Sequence, residues 1–407
     1  LNAIVSLRER DWIIKKAQEQ DSLKQDNKIK QILFGLPIAT KELFDVKELP
    51  TTYGIPEYQN EFPESDSLII KNLKQQGATI IGKSNMAELA IGSHTKNKLF
   101  KSTSNPYNLS LSPGGSSGGA SAAVASCLIP FSDGTDMMGS CRNPAAYTNL
   151  YGFRPSPGLI PDKRGESKYP VLTTPGGIAR TPEDLSIFLD SVSGIDDEDY
   201  YSYSFEGSFR SIETHLNSEI KIGWLSNFVE NYTFEKGIIE LCEIALNQFA
   251  STEKKISIER CNINIDPDKL WEVWCNLRSK ITFDDLSSMR IQNFEELGFP
   301  VKWEYEQGEK IKEADISNAI DHYLKDRSYV DSLFDKYDFL ALPSAQLFPF
   351  DKEIDFPKNI QETQMDTYHR WMEVTVFASM FQLPTISVPV GFNEKGLPMG
   401  MQLIGKN

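Results

Sequence analysis

Short apolar runs alternate with helical patterns along the first half of this chain, and that alternation most restricts the folds open to it. "SDSLIIKNLKQQG" (65–77) begins with Ser and Asp, spaces its apolar side chains by three and four, and closes on Gly, which predicts a helix. "ATIIGKSN" follows as a buried strand and "NMAELAIG" as a second helix. Upstream, "GLPIATKELFDV" (35–46) opens on a turn and becomes a strand with Lys41 at its end, while 6–25 reads as a surface helix. Strand and helix in this alternation argue for an α/β sheet with covering helices. "ASAAVASCL" (120–128) is small and apolar, which suits a tightly packed helix, and "IPFSDGTD" is a strand running into polar sequence. Buried strands resume near 338 with "DFLALPSA", "TISVPVGF" and "PMGMQLIG". Between them lie a polar loop and several amphipathic helices. The late strands are expected to rejoin the first sheet. That makes 1–407 one domain with a core of 30–195 and 338–407. Residues 196–337 are then a mainly helical insertion that borders the substrate pocket.

Composition narrows the function. The 407 residues carry 42 Lys and Arg against 57 Asp and Glu, a net charge of −15, which speaks against a nucleic-acid footprint. No apolar run approaches the ~20 residues needed to span a bilayer. Cysteines at 127, 141, 242, 261 and 275 are sparse and never spaced C-x-x-C, which suggests free thiols in a reducing, cytoplasmic compartment. The four histidines, at 94, 215, 322 and 369, include no close ligand pair, so a histidine-dependent mechanism has few candidates; no metal and no cofactor are expected. The chain opens on Leu1 and stops soon after a strand-like run, so both ends are expected to be trimmed.

Two motif matches are misleading. Gly77 to Ser84 fits G-x₄-G-K-[ST], yet a polar helix precedes it and its middle residues, "ATII", read as a core strand rather than a phosphate cradle. Gly114 to Gly118 fits the G-x-S-x-G elbow of α/β-hydrolases, but that elbow must follow a strand, and "NPYNLSLSP" is loop. It would also need His215, His322 or His369 as a base.

Three segments stand out: "GLPIATKE", "SPGGSSGGASAAVA" and "GTDMMGSCRNPAA". In that order they resemble the amidase signature family. "GFRPSPGLIP", "TTPGGIARTPEDL", "LALPSA" and "LPTISVPVGFNEKGLPMGMQLIG" extend the resemblance from 35 to 185 and from 338 to 405. The resemblance implies an α/β fold: a single large domain with a central mixed β-sheet covered by helices on both faces. It also implies a Ser-cisSer-Lys triad that uses no histidine and no metal. By motif position Ser140 is the nucleophile, Ser116 the bridging serine after a cis peptide, and Lys41 the base.

The chemistry fits these residue types. A serine hydroxyl attacks well only when a neighbour takes its proton. A lysine can take it only when neutral, and burial favours that form. A hydroxyl between the two both donates and accepts. After the strand, the backbone N–H groups of Met137, Met138, Gly139 and Ser140 are placed to stabilise an oxyanion. Asp136 and Arg142 are expected to hold this turn, with direct substrate contact as the other reading. Ser117 is expected to hydrogen-bond near Ser116 and tune the relay, or otherwise only to shape the loop. Cys141 reads as a small packed thiol. Many family members have glycine where this chain has Met138, whose side chain narrows the oxyanion hole unless it points into the core.

The expected function is hydrolysis of a small-molecule carboxamide to carboxylate and ammonia or amine. The "DMMGS" variant and the unfamiliar insertion favour a free-standing amidase, with homo-oligomerisation left open. One alternative is the glutamine-hydrolysing A subunit of a tRNA-dependent amidotransferase, which works with partner subunits. Another is a catalytically silent binding protein of the same fold.

Overall fold

The computed structural model describes residues 1–24, 30–211, 219–253 and 255–407. The fold is α/β, built on one large mixed sheet with helices packed on its faces. In chain order the elements begin with β1 (Ile4–Val5), α1 (Arg10–Lys24), β2 (Pro37–Lys41), α2 (Leu68–Gln75), β3 (Thr79–Ser84), α3 (Gly118–Ala125) and β4 (Phe131–Asp136). They continue with α4 (Arg142–Tyr147), β5 (Tyr151–Arg154), β6 (Thr174–Ala179), α5 (Pro182–Val192), β7 (Ile220–Leu225), α6 (Ser226–Asn231), α7 (Ile238–Thr252) and β8 (Ile256–Cys261). Next come α8 (Pro267–Ser288), α9 (Phe299–Lys310), α10 (Glu313–Leu333), β9 (Phe339–Pro343), the short hairpin β10 (Asn359–Ile360) and β11 (Thr363–Gln364), α11 (Val376–Met380), β12 (Thr385–Phe392) and β13 (Pro398–Ile404). Among the described residues no helix is long and apolar enough to cross a membrane.

The main sheet has eight strands in the order β4-β6-β5-β12-β13-β9-β7-β8. It is antiparallel from β4 to β9 and parallel from β9 to β8. The late strands β9, β12 and β13 thus sit between the early strands and β7. The stretch 196–337 is helical in the main, but it also supplies β7 and β8 to this sheet.

Two expectations change. β2 and β3 do not join the main sheet; they pair in parallel within a separate three-stranded sheet, β1-β3-β2. β4 meets β2 through side chains instead. Ser132 Oγ donates to the Ala39 carbonyl at 3.0 Å, and the Asp133 carboxylate accepts from the Lys41 N–H at 2.7 Å. "NMAELAIG" is not a full helix: it makes one short 3₁₀ turn, Glu88–Ala90, in which Leu89 and Ala90 have positive φ. Glu88 leaves the local pattern to accept from the Gly298 N–H, a contact 210 residues away.

The Gly77–Ser84 stretch does contain a core strand, and Lys83 is buried. The small residues of α3 serve close packing, since a Cβ at Gly119 would lie 2.3 Å from the Asn85 nitrogen.

Candidate active site

The end of β2, the loop before α3 and the turn between β4 and α4 meet at one cavity. Its volume is about 230 Å³, and Ser116, Ser140, Thr135, Met137 and Met138 line it. β2 delivers Lys41 to the protein interior, where its side chain is wholly buried. Its amine donates to Ser116 Oγ at 2.8 Å and to Thr135 Oγ1 at 2.7 Å. Burial pushes the Lys41 pKa down from 10.5 to about 8, against the pull of Asp133 and Asp136.

The peptide bond between Gly115 and Ser116 is cis. The surrounding loop is anchored on both sides. The Gly114 carbonyl accepts from the Thr95 N–H at 3.0 Å and from Thr95 Oγ1 at 2.8 Å, and the Ser116 carbonyl accepts from the Ala87 N–H at 3.1 Å. Asn143 Oδ1 accepts from the Gly115 N–H at 3.3 Å. His94 is buried against Ser112, which in turn accepts from the Gly114 N–H. This histidine therefore holds the loop rather than a substrate. Of the other elbow candidates, His369 lines the cavity, His322 bonds its own helix, and His215 lies outside the described residues.

The turn after β4 is built around Asp136. Its carboxylate accepts from the N–H groups of Gly139, Cys141 and Arg142 at 2.9, 3.1 and 3.3 Å, and from the Arg142 guanidinium at 3.0 and 2.7 Å. Burial opposes ionisation of Asp136, but Arg142, with Arg154 behind it, holds the carboxyl well below the usual carboxylate range. Arg142 also donates to the Thr375 carbonyl at 3.0 Å, to Ser379 Oγ at 2.7 Å and to the Gln402 side chain. Both residues are completely buried, which fits the structural reading and leaves them no path to a substrate.

This geometry corrects two expectations. The Gly139 N–H is engaged by Asp136, so it is not free to meet an oxyanion. Met137, Met138 and Ser140 keep amides with no acceptor among the described residues. Ser117 donates its N–H to the Ser140 carbonyl at 3.2 Å, but its hydroxyl is buried without a partner beside Gly134, so it does not hydrogen-bond to the relay. Met138 packs into the main hydrophobic core while also edging the cavity. Cys141 is a buried thiol, held by burial far above its ordinary pKa.

Ser116 and Ser140 face the same cavity, but no hydrogen bond joins their hydroxyls among the described residues. Such contacts are often loose before substrate binds. Sequence reasoning missed Thr135 and Asp133, which both touch Lys41. Alternation along β4 puts 133 and 135 on one face, and that was the available signal.

The far wall of the cavity comes from α8 and carries Arg278, Thr282 and Leu286. Arg278 is already paired with buried Glu304 at 3.1 Å and donates to the Tyr368 hydroxyl at 2.7 Å. α8 also brings Asp285 to this wall, and most of the remaining surface is apolar, with Leu43, Leu89, Ile91 and Met289.

The family model for Amidase matches residues 1–407. The A subunit of the glutamyl-tRNA(Gln) amidotransferase from Legionella pneumophila (strain Corby) is 32% identical over 439 residues, covering 100% of this chain and 87% of that protein. Among solved structures, a bacterial aryl acylamidase of the amidase signature family superposes with a TM-score of 0.90 at 26% identity, covering 100% of this chain and 86% of that one. The corresponding amidotransferase chain from Thermotoga maritima superposes at 0.77 with 28% identity, covering 92% and 80%. The resemblance carried by the motifs is thus borne out along the whole length. The chain belongs to the Amidase family, the amidase signature enzymes that hydrolyse amide C–N bonds.

Proposed function

We propose that this protein hydrolyses a carboxamide through an acyl-enzyme on Ser140, with Ser116 as relay and Lys41 as base. One observation carries the reading: a fully buried lysine with a lowered pKa donates to the bridging serine at 2.8 Å. Neutral Lys41 accepts the Ser116 proton while Ser116 accepts that of Ser140. The freed Ser140 oxygen then bonds to the amide carbon. The developing oxyanion is met by backbone amides drawn from Met137, Met138 and Ser140, a kind of contact worth roughly 3–4 kcal/mol per donor in a transition state. The protonated lysine returns its proton through Ser116 to the departing nitrogen as the C–N bond breaks. Water then attacks the ester carbon and gives its proton to the same relay; the bond between that carbon and the Ser140 oxygen breaks, the relay returns the proton to Ser140, and the acid product leaves and ionises.

Lys41→Ala and Ser140→Ala should each abolish ammonia release while the protein stays folded. Near-normal rates for Lys41→Ala at neutral pH would end this reading.

Two substrate readings share this machinery. The curated relatives favour the glutamine-hydrolysing component of an amidotransferase over the free-standing amidase that the motif variants suggested. That reading brings partner subunits with it. The apolar part of the cavity wall and the pairing of its arginine with Glu304 support the free-standing reading, whereas Asp285 on the same wall offers a carboxylate to the amine of glutamine. Ammonia release from glutamine and from a panel of apolar primary amides, by the chain alone, separates the two. Turnover of glutamine only with partner subunits added selects the first.

A further inference from the structure

The base sits at the end of a strand that main-sheet backbone does not hold. β2 pairs with β3 on one side; on the side of β4, Ser132 holds the Ala39 carbonyl and the carboxylate of Asp133 holds Thr40 and the Lys41 N–H. Asp133 Oδ1 accepts from the Lys41 N–H at 2.7 Å, and Oδ2 accepts from the Thr40 hydroxyl. Asp133 is completely buried, so no water substitutes for these donors. Two residues further along β4, Thr135 accepts from the Lys41 amine. One face of β4 therefore grips both the backbone and the side chain of the lysine.

We propose that Asp133 is a positioning residue for Lys41: its carboxylate pins the strand end that presents the amine to Ser116 and supplies negative charge beside it. This rests on the reading of Lys41 as the base.

The surrounding charges bear on it. Asp133 and Asp136 face Lys41 from β4 and favour its protonated form. The Cys141 thiol faces it from the residue before α4 and stays protonated because it is buried. Asp133 itself faces Lys41 on β2 and Lys83 on β3. Lys83 is pushed down to about 8 by burial, against the pull of Glu42 and Asp45. Arg142 and Arg154 are directed at Asp136. Burial raises Asp133 to about 6, which still lies below the value near 8 for Lys41. Asp133 is thus ionised at the pH where the lysine titrates. Removing its charge makes the amine easier to deprotonate and a weaker base.

The test is the pH profile of kcat/KM for wild type, Asp133→Asn, Thr40→Val and Lys41→Ala, read by ammonia release. Asp133→Asn should lower kcat by about tenfold or more with KM held within about threefold, and move the acidic limb to lower pH by about half a unit or more. Thr40→Val removes one donor from the carboxylate but keeps its charge, so it loosens the strand end and should lower kcat by less than Asp133→Asn, with no shift of the limb to lower pH. If Asp133→Asn does not fold, the kcat of Thr40→Val decides, and an unchanged kcat overturns the proposal. An effect on KM alone also overturns it. If both variants match wild type while Lys41→Ala is inactive, the role of Asp133 falls and the base assignment stands. If Lys41→Ala is active, the base assignment falls and takes this proposal with it.

Discussion

The amine of Lys41 and the hydroxyl of Ser116 lie 2.8 Å apart, and both residues are buried. The two belong to different segments, 75 positions apart, and nothing local brings them together. With the lysine shielded from water, its favoured proton partners are the hydroxyls of Ser116 and Thr135.

Under the proposed mechanism, removing the Ser116 hydroxyl should therefore cost rate rather than affinity. Ser116→Ala is expected to lower kcat by about 10²- to 10⁴-fold with little change in KM, the size of a general-base contribution. Steady-state ammonia release checks this. A variant with normal kcat would mean that Ser140 reaches Lys41 without an intermediary.

The pH profile follows from the lysine. Burial lowers Lys41 to about 8, and only its neutral form accepts a proton. Activity is then low where the amine is charged, rises with pH, and levels off above about 8. A flat kcat/KM between about pH 6 and 9 would contradict a lysine base.

The same lysine carries a stability cost. Its folded pKa lies below its unfolded value of 10.5, so folding is penalised while both states are protonated, below about 8. The penalty fades as pH climbs to the unfolded value. The stability difference between Lys41→Met and wild type should shift steadily in favour of wild type over that interval. Urea unfolding at several pH values measures it, and a difference constant with pH would be the contrary result.

Arg142 is tied to Asp136, Thr375, Ser379 and Gln402. Arg142→Ala leaves the Asp136 carboxylate without its main counter-charge and should cost about 3–5 kcal/mol of stability. A loss under about 1 kcal/mol in chemical denaturation would show that the turn holds without the pair.

Gly139 has φ of +82°, and a Cβ there would lie 2.8 Å from Thr375 Cγ2. Gly139→Ala should lower stability by about 1–3 kcal/mol, part of it backbone strain and part collision. Pairing it with Thr375→Gly should relieve only the collision. An unchanged melting temperature for the single variant would contradict this.

Much of the architecture was legible locally. The apolar spacing in 65–77 marked α2, the small residues after Gly118 marked α3, and the late apolar runs marked β9, β12 and β13. The failures have a common cause. "NMAELAIG" has helical spacing, but Glu88 bonds to Gly298, and the chain bends through Leu89 and Ala90 with positive φ. The Gly139 amide is taken by Asp136, three residues earlier, and nothing in the order of residues says which N–H groups of a turn a buried carboxylate will accept from.

The order of the segments holding Lys41, Ser116 and Ser140 was enough to point to the family and to nominate the three side chains, because motif spacing is a property of the chain itself. Which donor meets which acceptor was decided only on folding. Asp133 reaches across from β4 to hold β2, the Asp136 carboxylate engages Gly139 while leaving the Met137, Met138 and Ser140 amides unengaged, and the Ser117 hydroxyl faces no partner. A buried polar atom takes its partner from whatever segment packs against it, and for Lys41 and Asp133 that segment is 92 residues away.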